Sequence, residues 1–106
     1  MKNKYKIPKA IDRKITEINQ LIDWSKDQDD LVGGYFGSTW YSYLDFDKHI
    51  RIKNQFVYIE YNDGQRNDKE RYNFNKKEGF YSLEELKWEL SRILTAFRKA
   101  YKKAAL

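Results

Sequence analysis

The sequence predicts an α+β domain in the order α-β-β-β-α. An antiparallel sheet of three to four strands carries an N-terminal and a C-terminal helix packed on one face. Three observations lead there. Isoleucines recur at helical spacing near the N-terminus, and a second apolar stripe follows a capping box near the C-terminus. Between them lie period-2 segments punctuated by turn residues. The length of 106 residues fits a single domain spanning 1–106. A mean hydropathy of −0.95 is low enough for a disordered chain. An aromatic content of 17% decides for folding, because each ring brings a large buried area to a small core.

Pro8, the only proline, suits the first turn of a helix, where a missing N–H costs nothing. Ile11, Ile15, Ile18 and Ile22 then follow at steps of four, three and four, predicting a helix from about Pro8 to Lys26. Asp27, Asp29 and Asp30 oppose the dipole at its C-terminal end, so the helix stops before them. After Gly33-Gly34, residues 36–46 alternate. Phe36, Trp40, Leu44 and Phe46 share one face, and Tyr35, Thr39, Tyr41, Tyr43 and Asp45 the other. The run 49–61 reads as strand with Ile50, Ile52, Phe56 and Tyr58 in one register, and Lys53-Asn54-Gln55 either breaks it or does not. Asn62-Asp63-Gly64 is a hairpin signal. A short strand with Tyr72 and Phe74 follows a polar stretch, 65–71, that reads as loop. Ser82-Leu83-Glu84-Glu85 is a capping box, and Leu83, Leu86, Leu90, Ile93, Leu94, Phe97 and Tyr101 line one face of a helix to about Lys103.

The absence of cysteine excludes disulfides, a thiol nucleophile and Cys-containing zinc sites. One histidine, His49, leaves no His-rich metal centre, so neither a metal nor a cofactor is expected. The sequence shows no apolar run of bilayer-spanning length and no signal-peptide stretch in MKNKYKIPKA, which predicts a cytoplasmic protein without a membrane partner.

The net charge of +5 is unevenly distributed. Residues 1–14 carry +5, residues 15–47 carry −6, residues 48–77 carry +4 and residues 78–106 carry +2. A uniformly basic chain would point to a phosphate backbone alone. A polarised one better fits a partner with both signs, such as a nucleoprotein. Lysines and arginines that merely solvate a small domain explain the same counts.

Among individual residues Trp88 stands out. It lies about 200° from the Leu86 stripe, with Arg92, Thr95, Lys99 and Lys103 along the same far side. A tryptophan in a basic stripe is a stacking platform or an interface hot spot. The competing reading packs it under the N-terminal segment or in a dimer contact. Tyr35, Tyr41 and Tyr43 share the non-core face of the first strand, flanked by Arg51, Lys53 and Arg71 in the manner of single-strand binders. Cross-strand pairs that only stabilise the sheet account for the same tyrosines. The partner-binding candidates are therefore Trp88, Arg92, Lys99, Lys103, Tyr35, Tyr41 and Tyr43. For direct nucleic-acid binding they are Lys2, Lys4, Lys6, Lys9, Arg51, Lys53 and Arg71.

Chemistry finds little support. Gly33-Gly34-x-x-Gly37 lacks the Lys-Ser/Thr and the helix of a P-loop. The acidic run 27–30 lacks the spacing of a calcium loop. His49 beside Asp45 and Asp47 has no nucleophile elbow, and Asp12-x-Lys14 and Glu85-x-Lys87 fall on helices rather than on a nuclease strand. No catalytic residue is expected.

The short length, the lack of cofactor motifs, the Lys/Asn/Ile/Tyr-rich composition and the α+β plan resemble the small proteins of phages and mobile elements. Many of these are anti-defence inhibitors of the anti-CRISPR type. That resemblance implies a small inhibitor or regulator docking on a host nucleic-acid enzyme or nucleoprotein. It transfers no individual residue.

Overall fold

Pro8 closes the chain into its first helix from one position earlier than expected. In the computed structural model, which describes residues 5–27, 44–62 and 67–104, helix α1 spans Lys9–Lys26 with Pro8 as its N-cap. The Pro8 carbonyl accepts from the Asp12 amide at 3.0 Å, so the residue without an N–H supplies only an acceptor. Ile11, Ile15, Ile18 and Ile22 are all buried, and the helix ends at Lys26 as the acidic run requires.

The predicted strand over residues 36–46 lies mostly outside the described residues. At its described end Leu44 and Phe46 are buried and Asp45 between them is half-exposed, which keeps the period of two. Asp45 bridges Asn62 through a pair of backbone hydrogen bonds of 2.8 and 2.9 Å. Three strands follow: β1, Arg51–Lys53, β2, Phe56–Asn62, and β3, Asn67–Asn73, in the antiparallel order β1-β2-β3.

Here the structure corrects the strand reading twice. Asn54 and Gln55 form a two-residue turn, with Asn54 at φ 55°, a conformation asparagine tolerates. The turn pairs Lys53 with Phe56 and Ile52 with Val57. Counting by twos through a turn of this length puts the wrong residues together. Phe56 and Tyr58 share a face with Arg51 and Lys53, while Val57, Ile59 and Tyr61 form the buried side of β2. The second correction concerns the polar stretch. Residues 67–71 are strand, paired along their length with β2, and Phe74 lies just beyond it, buried. The ladder on β2 holds a sequence whose own strand propensity is poor.

Helix α2 spans Leu83–Ala104. Leu86, Leu90, Ile93, Leu94 and Phe97 are buried, but Tyr101 is 51% exposed and meets Trp24 edge-on, with ring centroids 5.0 Å apart. The stripe has drifted off the core by its last turn. The capping box forms in an altered version. Glu85 N–H donates to Ser82 Oγ at 3.4 Å, and the Glu85 carboxylate accepts from the Tyr81 amide rather than from that of Ser82. Contacts between Lys14 and Ser91, Glu17 and Arg98, and Trp24 and Tyr101 advance together along both helices, so α1 and α2 run roughly parallel.

The Glu17 carboxylate accepts two bonds of 2.7 Å from the Arg98 guanidinium. That hydrogen bonding holds its pKa below the ordinary 4.5. A depressed carboxylate pKa stabilises the fold above its unfolded value and loses that contribution as pH falls through the folded one. Glu17→Gln is therefore expected to flatten the loss of melting temperature between neutral pH and pH 3. The difference should be small, because the pair is exposed and screened. An acid limb as steep as wild type would exclude a role for this pair.

Candidate functional site

The described surface presents two places where side chains are held outward without burial to explain them. The first is the sheet face turned away from the core. Arg51, Tyr58 and Arg71 are register partners across β1, β2 and β3, which puts a tyrosine between two arginines in one row. The Arg51 guanidinium stands 5.1 Å from the Tyr58 ring centroid. Arg71 stands 4.3 Å from that of Phe56, its diagonal neighbour. Lys53 pairs with Phe56 on the same face. Glu60 is the counter-charge, 3.7 Å from Lys48 and 3.8 Å from Arg51. Guanidiniums laid on rings have fewer rotamers left to lose when they grip an anion, which favours planar recognition of phosphate or carboxylate.

The second is a shallow cleft of about 360 Å³ where α2 begins, lined by Gly79, Phe80, Ser82, Glu84, Glu85 and Trp88. Phe80 is 79% and Trp88 67% exposed. The loop between β3 and α2 takes left-handed backbone twice, at Gly79 (φ 97°) and at Tyr81 (φ 55°). For tyrosine that conformation costs about 1 kcal/mol or more. Backbone bonds from Asn73 N–H to the Tyr81 carbonyl (2.8 Å) and from Leu83 N–H to the Lys76 carbonyl (2.7 Å) hold it. The Lys76 ammonium also donates to the Phe80 carbonyl at 3.1 Å.

A third cluster is internal. Glu89 of α2 is buried at 7% exposure. It accepts from the Tyr61 hydroxyl at 3.2 Å and from Arg92 Nε at 2.9 Å, and Arg92 also donates to the Tyr61 oxygen. Burial raises the Tyr61 pKa above its usual value, reinforced by the Glu89 carboxylate. Tyr72 is raised in the same way by burial and by its bond to Glu70. For Arg92, burial acts to lower the pKa, but the Glu89 carboxylate, the Tyr61 oxygen and the hydrogen bond to Glu89 together outweigh it and the pKa is raised. Phenols that keep their protons so firmly serve as fixed donors and not as general bases. The cluster fixes how α2 seats on the sheet.

The predicted residues are distributed as follows. Trp88 and Lys99 are exposed on α2, whereas Arg92 is half-buried and turned inward to Glu89 and Tyr61, out of the basic stripe. Lys103 belongs to α2, with its side chain outside the described residues. Tyr35, Tyr41, Tyr43, Lys2 and Lys4 also lie outside them. Lys6 and Lys9 are exposed near the start of α1. Arg51, Lys53 and Arg71 come together on the sheet face. His49 bonds Asp23 of α1 at 2.7 Å, and not Asp45 or Asp47, its expected neighbours. Among the described residues no three potential metal ligands converge, and no helix is long and apolar enough to cross a membrane.

Sequence reasoning missed Phe56, Tyr58, Phe80 and Tyr81. The first two share a register with Ile50 and Ile52 only if the strand runs unbroken through Lys53-Asn54-Gln55, and the turn at Asn54-Gln55 breaks it. The last pair did leave a signal, as adjacent aromatics between a glycine and a helix cap that belong to no periodic stripe. Comparison with protein-family models, curated proteins and solved structures finds no match to this chain, so its α+β architecture and these two outward surfaces are the basis for any functional conclusion.

Proposed function

We propose that this chain is a non-catalytic binding protein. It docks on a nucleic-acid enzyme or nucleoprotein complex as an inhibitor or regulator, in the way of the small anti-defence proteins it resembles. One observation supports this most directly. A basic, aromatic sheet face and an acid-edged aromatic cleft are both held outward on one small fold. A complex of polyanion and basic protein offers complementary charge to each. The closest competing reading, direct nucleic-acid binding through the basic N-terminus and residues 48–77, draws on the Arg51–Tyr58–Arg71 row.

Capture from a host lysate with and without nuclease separates the two. The docking reading expects the same protein partner to be retained after nuclease treatment, and the direct-binding reading expects it to be lost. For the sheet face itself, Arg51→Ala with Arg71→Ala is expected to flatten the salt dependence of binding to a single-stranded oligonucleotide. Two phosphate contacts at about 0.7 each correspond to a change of roughly 1.4 in the log–log slope. An unchanged slope removes the sheet face from the proposal.

A further inference from the structure

We propose that the cleft between Phe80 and Trp88 is a docking site for an arginine-bearing segment of a protein partner. The inference rests on the binding-protein reading above and specifies what one of its surfaces takes. Phe80 and Trp88 are the two most exposed large hydrophobic side chains among the described residues, and they line the same cleft. The loop that carries Phe80 is held in left-handed conformations at Gly79 and Tyr81. Ser82 at the base is fully buried, so the loop is anchored from below while the ring above it is left in water. Burying an apolar ring would repay such a conformation, but this ring is not buried. The conformation is offset instead by the α2 cap at the Tyr81 amide and by the edge contact of the Tyr81 and Tyr72 rings, 5.8 Å between centroids, and the Phe80 ring takes no part in either.

Charge selects the occupant. The cleft lining contains the carboxylates of Glu84 and Glu85, and the Lys76 ammonium beside it is engaged by the Phe80 carbonyl at 3.1 Å. One Glu85 oxygen is engaged by the Tyr81 amide, which orients that carboxylate, and Glu84 is exposed on the first turn of α2. An anion would meet two negative charges here. A neutral apolar segment would partly desolvate both carboxylates and offer neither a further hydrogen bond. A guanidinium satisfies both halves of the site. Its flat face stacks on the indole, the best of the aromatic rings for a cation, and its edge donates in a fork to a carboxylate. Lysine can do the first only as a strongly hydrated point charge and lacks the fork. Arginine is therefore the anchor, and an enzyme or nucleoprotein surface that handles phosphates presents it freely.

The test uses the whole chain, isotope-labelled and titrated with an unstructured Arg-Gly repeat peptide, alongside Lys-Gly and Glu-Gly counterparts of equal length. The tryptophan indole signals are followed by NMR. The Trp88 indole, assigned by its loss in Trp88→Phe, is expected to shift on adding the arginine peptide and to stay in place with the glutamate peptide. Phe80→Ala and Glu84→Gln are each expected to weaken binding about tenfold, as for the minority of residues that carry an interface. Both positions are exposed, so both variants should melt like wild type. The oligonucleotide measurement on Arg51→Ala with Arg71→Ala reads the sheet face and this titration reads the cleft, so failure of one is distinct from failure of the other. A Trp88 signal that does not move, or affinities untouched by Phe80→Ala and Glu84→Gln, overturns the site. Equal binding of the lysine peptide overturns the arginine assignment.

Discussion

Phe97→Ala is expected to remove about 3–5 kcal/mol of stability, the cost of truncating a fully buried phenylalanine. Phe97 is 1% exposed and lies against Phe46, with ring centroids 5.5 Å apart at 44°. Phe46 in turn stacks on Tyr61 at 5.1 Å. The ring therefore joins α2 to the segment before β1 and, through it, to the middle of the sheet. Little can collapse into the space it leaves, because the neighbours belong to separate elements. A small domain has about 5–15 kcal/mol in all, so the variant should be largely unfolded by mild denaturant. Urea titration followed by far-ultraviolet circular dichroism measures the loss. Trp88→Ala removes a larger side chain from the same helix, yet it should stay within about 0.5 kcal/mol of wild type because that site is exposed. A loss below about 1 kcal/mol at Phe97 would contradict the packing described here.

Arg92→Ala is the second large effect. Glu89 would keep its buried carboxylate and lose the guanidinium nitrogen that stands 2.6 Å away. Breaking a buried pair costs about 3–5 kcal/mol, and the 35% exposure of the Arg92 side chain admits some water in its place. An expected loss of about 2–3 kcal/mol follows. Adding Glu89→Gln should recover a good part of it, since the charge left behind is the cause. If the double variant is no better than the single one, the arginine contributes packing and not charge compensation. Arg92→Glu would bring two carboxylates together against the sheet. It therefore tests folding, whatever effect on binding accompanies it.

These results show which parts of the sequence could be read directly. Helix boundaries and core faces were legible because α1 and α2 repeat their apolar residues over about three turns or more, so one irregularity does not hide the period. Glu89 and Arg92 show the limit of that method. Both are polar; Glu89 falls near the edge of the stripe and Arg92 well round toward the far side, and only the position of Tyr61 on the opposing strand decides that they turn inward. The strands were harder for a related reason. Residues 67–71 have no apolar alternation, and they are extended because β2 lies beside them, which is a long-range cause. At Asn54 a single turn exchanged the faces of everything after it. Trp88 was found by angle alone, whereas its neighbour in space, Phe80, comes from a loop with no period to follow.

The parallel pairing of the first and last helices also bears on how the chain folds. Glu17 and Arg98 are separated by 81 positions and meet in the native state. The β1-β2-β3 meander needs only neighbouring segments and can form early, because the loops it closes are short. The helix pair closes a loop of most of the chain, and contacts at such separation slow folding. During synthesis the isoleucine stripe of α1 emerges long before Leu90 and Phe97 exist to cover it. Until translation reaches α2, that stripe lacks the helix it packs against, and its cover waits on residues far downstream.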